Sequence, residues 1–556
     1  MNKGSVLIVS NLYPPHVVGG AEIVAHRQAL QLAARGWEVA AFTGRFAEGS
    51  GKSGALELEE FEGLPVYRVN HVSFEPDDNF RWQKANHFLT SIIESRRPKW
   101  VHFHNPIGLG AELIRVAKRM GAMVAVTLHD HWGFCFKNTL IRNDNSICYD
   151  FESCHNCRPS ISQPKGFSLP IRMRRDYVAW CLEHADLLIS PSRSLANNYL
   201  KFGFAEDRLS VVSNGIDLPK ISGGLRVPEA KIKFLVASYL GEHKGVPILL
   251  EALRILQKKT TLSGKWQIVI AGHGHLEPSV KALANDPIGR NHVKFVGRLP
   301  RGQLLEELRE AHVVILSSVW PENEPVIILE AIASGAAVIA TDIGGNRDIF
   351  EAYSPGVLCL PGDANDLAQK MEALINEPAG IVAASRRNLS NAAKLSESHT
   401  IDRLVELYDA SPRTISEGSC VIVCGGGQPD AETIQVINAL SRNPGVCPLR
   451  LIWDEWADAD VWSRASGFWW WGKTGGLTEL SHAAKRGVPI CMRSGSDTEK
   501  ISKLLPIELY QMSEDISCWL TSVLPRVFHD LSREIPVLRH FDQVRGRHDF
   551  NFPLQD

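Results

Sequence analysis

The sequence predicts an α/β protein built from successive parallel sheets with helices on both faces. Three observations predict it. Short apolar runs of buried-strand type alternate with helical stretches from the first residues onward, which is the pattern of parallel rather than hairpin pairing. The alternation restarts around Asn214-Gly215, and again after a Ser/Pro-containing stretch at 411–418. The chain has 556 residues, room for two to four domains, and its 44% hydrophobic and 22% charged content suits chains with real cores.

Taken in order, Val6-Leu7-Ile8-Val9 is a strand, and the loop from Asn11 to Gly20 carries Pro14, Pro15, Gly19 and Gly20. A helix over 21–35 stops at Gly36, and a strand follows at 39–42. Residues 46–55, rich in Gly and Ser, read as a mobile loop. Strands at 100–103 and 123–128 flank a helix at 110–120, and strands at 187–190 and 209–212 complete a first domain, 1–212. In a second domain, 213–410, strands are expected at 234–237, 266–271, 293–296, 313–316 and 337–340. Helices at 246–257, 303–310 and 328–334 connect them, and helices near 365–375 and 401–409 close the unit. After the linker 411–418, a third α/β module spans 419–556. It has a strand at 419–424, a turn at Gly425-Gly426-Gly427, a helix at 431–441 and a strand at 449–453. Two parallel sheets in succession leave a cleft between them.

Charge excludes some partners. Lys+Arg number 60 against 62 Asp+Glu, a net charge of −2, so nothing global attracts nucleic acid or an anionic membrane. No run approaches the ~18 apolar residues of a membrane span. The first apolar run is too short for a signal peptide and Pro14-Pro15 follow it, so a cytoplasmic protein is expected. Eleven cysteines are too few for a disulfide scaffold of this length.

The strongest chemical signal is Trp320-Pro321-Glu322-Asn323-Glu324-Pro325-Val326-Ile327-Ile328-Leu329-Glu330-Ala331, directly after the strand at 313–316. Glu322 falls in a loop and Glu330 in the helix that follows. A helix start offers free N–H groups to a phosphate, and carboxylates beside it accept sugar hydroxyls. For either acid alone, the ordinary reading is a carboxylate favoured by the helix dipole.

The whole string resembles the glutamate–seven residues–glutamate signature of the family 4 glycosyltransferases, retaining enzymes with two Rossmann-like domains facing across a cleft, the GT-B fold. The resemblance runs over about residues 5–410. Gly19-Gly20-Ala21-Glu22 is similar to the family's N-terminal glycine loop, Val101-His102-Phe103-His104-Asn105 to its histidine-rich strand end, and Thr127-Leu128-His129-Asp130 to its strand ending in histidine. Ser190-Pro191-Ser192 and Asn214-Gly215-Ile216-Asp217 match its interdomain segments, and His243-Lys244-Gly245-Val246 its phosphate-binding lysine turn. The resemblance implies that Glu322 contacts donor-sugar hydroxyls, that Glu330 holds the ribose, and that Lys244 neutralises the departing diphosphate. It also places His129 beside the transferred sugar. Backbone amides of Gly19, Gly20, Asn323, Glu324 and Val326 would add hydrogen bonds, while Pro325 lacks one. One departure stands out: the family often has an arginine five residues before the lysine, and Tyr239 occupies that position. His243 is the nearest helper, though neutral imidazole is its ordinary state.

Other constellations stand outside that resemblance. Cys135, Cys148, Cys154 and Cys157 lie in a loop-like segment, the last two spaced as a zinc knuckle. They read either as a structural zinc site or as four reduced thiols. Arg172, Arg174 and Arg175 open a helix, either to meet an anionic acceptor such as a lipid diphosphate or as a solvated face. Asp458-Ala459-Asp460 imitates a metal-binding pair, but paired acids are usually solvated.

In the third module, His482-Ala483-Ala484-Lys485-Arg486-Gly487-Val488 faintly repeats the string from Glu330, with His482 in the place of Glu330 and Thr474 in that of Glu322. This suggests a degenerate GT-B-like half without catalytic acids. Trp469-Trp470-Trp471 and the loop 474–476 are its candidate glycan- or partner-binding surface, unless the aromatics are core. A separable module predicts that truncation at residue 411 leaves donor turnover intact.

The expected function is transfer of a hexose-type sugar, with retention, from a nucleotide-diphosphate donor to a hydroxyl of a glycan or lipid-linked acceptor in surface polysaccharide biosynthesis. No catalytic cofactor is expected, nor any nucleic acid partner, and a peripheral contact with the cytoplasmic membrane face is left open. A nucleotide-sugar epimerase or phosphorylase on the same fold, and a non-catalytic glycan-binding protein, are the alternatives. A nicotinamide enzyme would need a dinucleotide fingerprint that Gly19-Gly20 does not supply.

Overall fold

A computed structural model describes residues 3–46, 54–70, 73, 75–164, 166–221, 223–411, 420–439, 448–471, 483 and 490–492. The first sheet uses β1 (Ser5–Ser10), β2 (Glu38–Arg45), β3 (Leu56–Phe61), β4 (Leu64–Asn70), β5 (Trp100–Asn105) and β6 (Met123–Thr127). A separate antiparallel ribbon, β7 (Ser160–Ser162) with β8 (Ser168–Pro170), precedes its last strands, β9 (Leu187–Ser190) and β10 (Leu209–Val211). The order is β10-β9-β6-β5-β1-β2-β4-β3, parallel except for the edge pair β3–β4. That pair and the helix Gln83–Arg96 fall where no element is expected from sequence. The edge strand Leu-Glu-Leu-Glu-Glu-Phe is half solvated, and the helix starts after Trp82 with no capping side chain to announce it. Most of the loop expected at 46–55, and the linker expected at 411–418, lie outside the described residues.

The second sheet comprises β11 (Ile232–Ala237), β12 (Trp266–Ala271), β13 (Val293–Gly297), β14 (Val313–Leu316), β15 (Ala337–Thr341) and β16 (Val357–Cys359). Its order is β13-β12-β11-β14-β15-β16, the 3-2-1-4-5-6 arrangement of doubly wound sheets. Apolar side chains cover both faces of its buried strands, as a parallel sheet between helices demands. In such sheets ligands bind beyond the carboxyl ends of the strands where the order reverses. Those points are β1/β5 in the first sheet and β11/β14 in the second.

The helix Glu397–Ala410 closes the second unit in sequence but packs on the first sheet. Ile401, Leu404 and Tyr408 join Val6, Ile8, Trp37 and Trp100 in one buried cluster. Tyr408 stacks on Trp100 with ring centres 4.5 Å apart, and Arg35 reaches back to Asp402 at 2.9 Å.

A third parallel sheet follows: β17 (Cys420–Gly425), β18 (Leu449–Trp453), β19 (Ala465–Trp470) and β20 (Ile490–Met492), ordered β18-β17-β19-β20. It does not stand apart. Its Ile422, Leu451, Trp453 and Phe468 belong to the same buried cluster as Phe103, Tyr177 and Trp180 of the first unit. The helix Ile171–Leu182 lies between the two sheets and is buried along its whole length.

This corrects several sequence expectations. Arg172, Arg174 and Arg175 are neither a solvated face nor an acceptor-binding face; all three are buried. Arg172 donates to the Ile437 carbonyl at 2.8 Å, Arg174 to Asn79 at 2.8 Å and Arg175 to the Phe151 carbonyl at 2.8 Å. Asp458 and Asp460 both pair with the fully buried Arg115, at 2.8 and 3.0 Å, and Asp458 caps the helix Ala459–Arg464. The guanidinium of Arg115 lies 4.0 Å from the Trp180 ring centre. Trp469, Trp470 and Trp471 are buried, so the aromatic run is core and not a sugar-stacking surface. The loop 474–476, Thr474 and His482 lie outside the described residues. Among the described residues no helix is long and apolar enough to cross a membrane.

Candidate active site at the junction of the two sheets

The carboxylate loop begins where β14 ends. Beside it, the turn after β11 carries Lys244. Gly245 has φ +68°, and a Cβ there would lie 1.8 Å from the Ser317 carbonyl, so only glycine lets the turn rest on the strand end. Ser317 Oγ donates to the Lys244 carbonyl at 3.0 Å and Val319 N–H to that of His243 at 3.0 Å. This lacing places Lys244 Nζ 2.7 Å from Glu322 Oε1, and 4.4 Å from the Trp320 ring centre. Ser318 Oγ donates to the same carboxylate oxygen. Burial pushes the Glu322 carboxyl up, but the Lys244 charge and the hydrogen bonds outweigh it and hold the group below the usual carboxylate range.

Two glycines form the bed of the loop. A Cβ at Gly344 would meet the Glu322 carbonyl at 2.2 Å, and one at Gly345 the Asn323 carbonyl at 1.7 Å. Gly345 N–H donates to the Glu322 carbonyl at 2.6 Å. Glu324 turns inward: its carboxylate accepts from Asn214 N–H at 2.6 Å, and burial pushes its pKa up to about 7. Pro325 precedes the helix Val326–Ser334, and no side chain caps that end, so the first amides, Val326 among them, remain a place for an anion.

Glu330 sits one turn into that helix, almost fully buried. Arg301 grips both its oxygens, Nη1 to Oε2 at 3.0 Å and Nη2 to Oε1. Arg301 itself remains 44% exposed, so the pair reaches the surface rather than lying wholly in the core. Sequence reasoning gave no sign of Arg301, because a contact across 29 residues leaves no local pattern.

From the first sheet, β5 ends in His102 and His104, and His129 follows β6. The two β5 rings share a face, as alternation requires, with centres 4.5 Å apart. His102 is held by Tyr408 OH at 2.6 Å and Thr127 Oγ1 at 2.7 Å, which gives it a structural role. His104 Nδ1 lies 3.0 Å from His129 Nε2, and His104 Nε2 is buried without a hydrogen-bond partner among the described residues. Burial lowers all three imidazoles, His129 to about 4, so they are neutral at pH 7. One ring donates and the other accepts; two imidazoliums could not share that hydrogen bond. Next in the chain, Asp130 accepts from Trp132 N–H at 2.7 Å, and burial pushes its carboxyl up to about 7 with a further push from Glu22. Asp130 is a second group to which sequence reasoning assigned no role.

Gly19 and Gly20 open the helix Gly20–Ala34 after β1 and are exposed. The Gly19 N–H donates to Glu22 Oε2 at 2.8 Å, whereas a Cβ on Gly20 would meet nothing within 4 Å. The two units touch beside these groups: Asn323 Nδ2 donates to the His129 carbonyl at 2.7 Å, and Ser194 N–H to Asp348 at 2.7 Å. The structure therefore gathers Glu322, Lys244, Asn323 and His129 at one junction, with Glu330 one turn into the helix Val326–Ser334 that follows the carboxylate loop. Tyr239, in the place of the family's arginine, is 42% exposed and stacks on His243 with centres 5.6 Å apart.

The four loop cysteines do not fit a metal as they stand. Among the described residues no three His, Cys, Asp or Glu side chains converge as ligands. Cys148 is 3.5 Å from Asp150, and Cys154 faces the Phe151 carbonyl at 3.8 Å. Phe134, Leu140 and Phe151 are buried instead, Phe134 stacking on Phe202 at 4.5 Å, and they anchor the segment.

Comparison with known proteins bears on the family and the fold. Residues 18–220 match the family model described as Glycosyltransferase Family 4, and residues 219–396 the model described as Glycosyl transferases group 1. The amylovoran biosynthesis glycosyltransferase AmsK of Erwinia amylovora is 29% identical over 35% of this chain, a stretch equal to 49% of AmsK. A glycogen synthase of Mycobacterium tuberculosis is 26% identical over 69% of this chain and 88% of its own length. Among solved structures, Anabaena Alr3699/HepE in complex with UDP and glucose superposes with a TM-score of 0.51, at 18% identity, over 74% of this chain and all of that one. A sucrose-phosphate synthase from Thermosynechococcus elongatus gives 0.53 at 17% identity, over 73% of this chain and 98% of that one. These two likenesses speak to the fold, which is GT-B.

Proposed function

The chain belongs to the family 4 glycosyltransferases, and on that footing we propose that it moves a hexose-type sugar, with retention, from a nucleotide-diphosphate donor to a hydroxyl of a glycan or lipid-linked acceptor. Relatives named for amylovoran and colanic acid biosynthesis support a place in surface polysaccharide assembly. The observation that carries the reading is the Lys244–Glu322 pair at the β11/β14 switch point, tied through Asn323 to His129 of the opposite unit.

In this reading residues 1–212 supply the acceptor side and 213–410 the donor side. The diphosphate lies between Lys244, the uncapped end of the helix Val326–Ser334 and the glycine loop, and Lys244 divides its charge between it and Glu322. The sugar's anomeric C–O bond to the β-phosphate breaks, and the acceptor oxygen bonds to the same face of that carbon. The acceptor proton passes to the departing phosphate oxygen. Positive charge fixed beside the leaving group lowers that barrier. Glu322 holds sugar hydroxyls and Glu330, oriented by Arg301, the ribose. His129, neutral, offers a hydrogen bond rather than a charge.

A panel of nucleotide sugars read by thermal stabilisation identifies the donor, since a ligand of the folded state raises the melting temperature by mass action. Transfer to polysaccharide precursors with that donor, followed by determination of the product anomer, completes the test. Inversion, or a free epimer as sole product, would overturn the reading.

A further inference from the structure

A cleft of about 540 Å³ opens where the two units meet, within the size range of small-ligand sites. The first unit contributes Lys137, Thr139, Arg142 and Asn145 to its wall, the second His243 and Trp320, and among the described residues no carboxylate lines it. We propose that Lys137, with Arg142 beside it, makes this cleft a subsite for a phosphate-type anion of a substrate, completed only when both units are in contact. The proposal rests on the transferase reading above.

Four observations converge on it. The Lys137 ammonium is half-buried, and its hydrogen bonds run to neutral oxygens, Asn143 Oδ1 at 2.7 Å and the Ile141 carbonyl at 3.2 Å. Its charge is therefore left for a ligand, whereas Arg142 shares its own with Asp150 at 2.8 Å. The segment that carries both is held in place. Leu140 is buried, Cys148 N–H donates to the Leu140 carbonyl at 2.7 Å, and Ile141 bridges to Ile147. Across the cleft, Trp320 carries Lys244 Nζ 4.4 Å from its ring centre, and His243 packs against it at 4.8 Å. Finally, burial together with the Lys244 charge lowers His243, so the imidazole on the opposite wall is neutral and the lining's positive charge comes from Lys137 and Arg142.

The anion has two sources with one chemistry, the donor's diphosphate or a phosphate on the acceptor. Calorimetry on the full chain separates them. UDP, GDP and ADP are titrated into the protein, and inorganic phosphate into protein saturated with whichever diphosphate binds. Lys137→Ala weakens one of these titrations about tenfold, as loss of a charge-assisted hydrogen bond does, and Lys137→Arg restores it. A weaker diphosphate assigns the anion to the donor; a loss confined to phosphate assigns it to the acceptor. A folded Lys137→Ala protein that binds both like the wild type overturns the subsite. Wild-type protein that binds none of the three diphosphates overturns the transferase reading itself, and the subsite with it.

Discussion

Asn323 Nδ2 donates to the backbone oxygen of His129 across 2.7 Å, so the residue that follows Glu322 is bonded directly to the histidine of the opposite sheet. This contact sets the spacing between the Glu322 loop of the second unit and the His129 end of the first sheet. Asn323→Ala removes one hydrogen bond of about 1 kcal/mol, and kcat/KM should fall roughly fivefold. Asn323→Asp places a carboxylate against a carbonyl oxygen and should cost more. Equal turnover in wild type and both variants would show that the contact has no part in setting the site.

The two glutamates should separate kinetically. Glu322→Gln weakens the pairing with Lys244, and on the proposed role at the transferred sugar kcat should fall with little change in nucleotide affinity. Glu330→Gln loses the ion pair with Arg301, so KM for the donor rises while kcat is largely kept. Steady-state kinetics with the identified donor distinguish the two, and wild-type values in both variants would sink the site assignment.

Between pH 4 and 7 two buried carboxyls should lose stability as pH rises, while the buried neutral imidazoles of His102, His104 and His129 should gain it. Burial raises the Glu324 and Asp130 carboxyls to about 7, so over that window the folded chain holds protons that the unfolded chain has released. Glu322 acts oppositely: its lowered pKa adds stability above the unfolded value, which is lost as pH falls through the folded one. Glu324→Gln keeps an acceptor for Asn214 N–H and removes one titration. Relative to the wild type, its melting temperature should rise as pH goes from 5 to 7. An unchanged slope would count against a proton on Glu324.

Transfer should survive EDTA, because in the proposed mechanism Lys244 and the uncapped helix end supply the positive charge beside the diphosphate. Elemental analysis should find no stoichiometric zinc, since the loop holding the cysteines is anchored by Phe134, Leu140 and Phe151. Loss of both folding and zinc on chelation would restore the four-cysteine site.

Truncation at residue 411 should destabilise the first unit rather than leave a working fragment. It strips Asp458 and Asp460 from buried Arg115, and the Ile437 carbonyl from buried Arg172. Removing partners from buried charges costs several kcal/mol, so insoluble or low-melting protein is expected. A truncated chain that melts like the full one would show the third sheet to be separable.

By itself the sequence determined the order of strands and helices over most of residues 1–410, the carboxylate pair of Glu322 and Glu330, and the lysine turn. These are local patterns: a run of apolar residues, a glycine after a lysine, two acids eight positions apart on a loop and the helix it leads into. Only the tertiary structure decided which distant groups meet those signals. Arg301 closes on Glu330, the Glu22 charge reaches Asp130, and Asn323 crosses to His129. It also decided the meaning of Arg172 and Asp458, which a linear reading places at a surface, and of Trp469, which that reading left open between surface and core. Whether a charge or an indole faces water depends on what folds over it, and here the third sheet covers the helix Ile171–Leu182. Burial is a property of the assembled layers, and no window of sequence contains it.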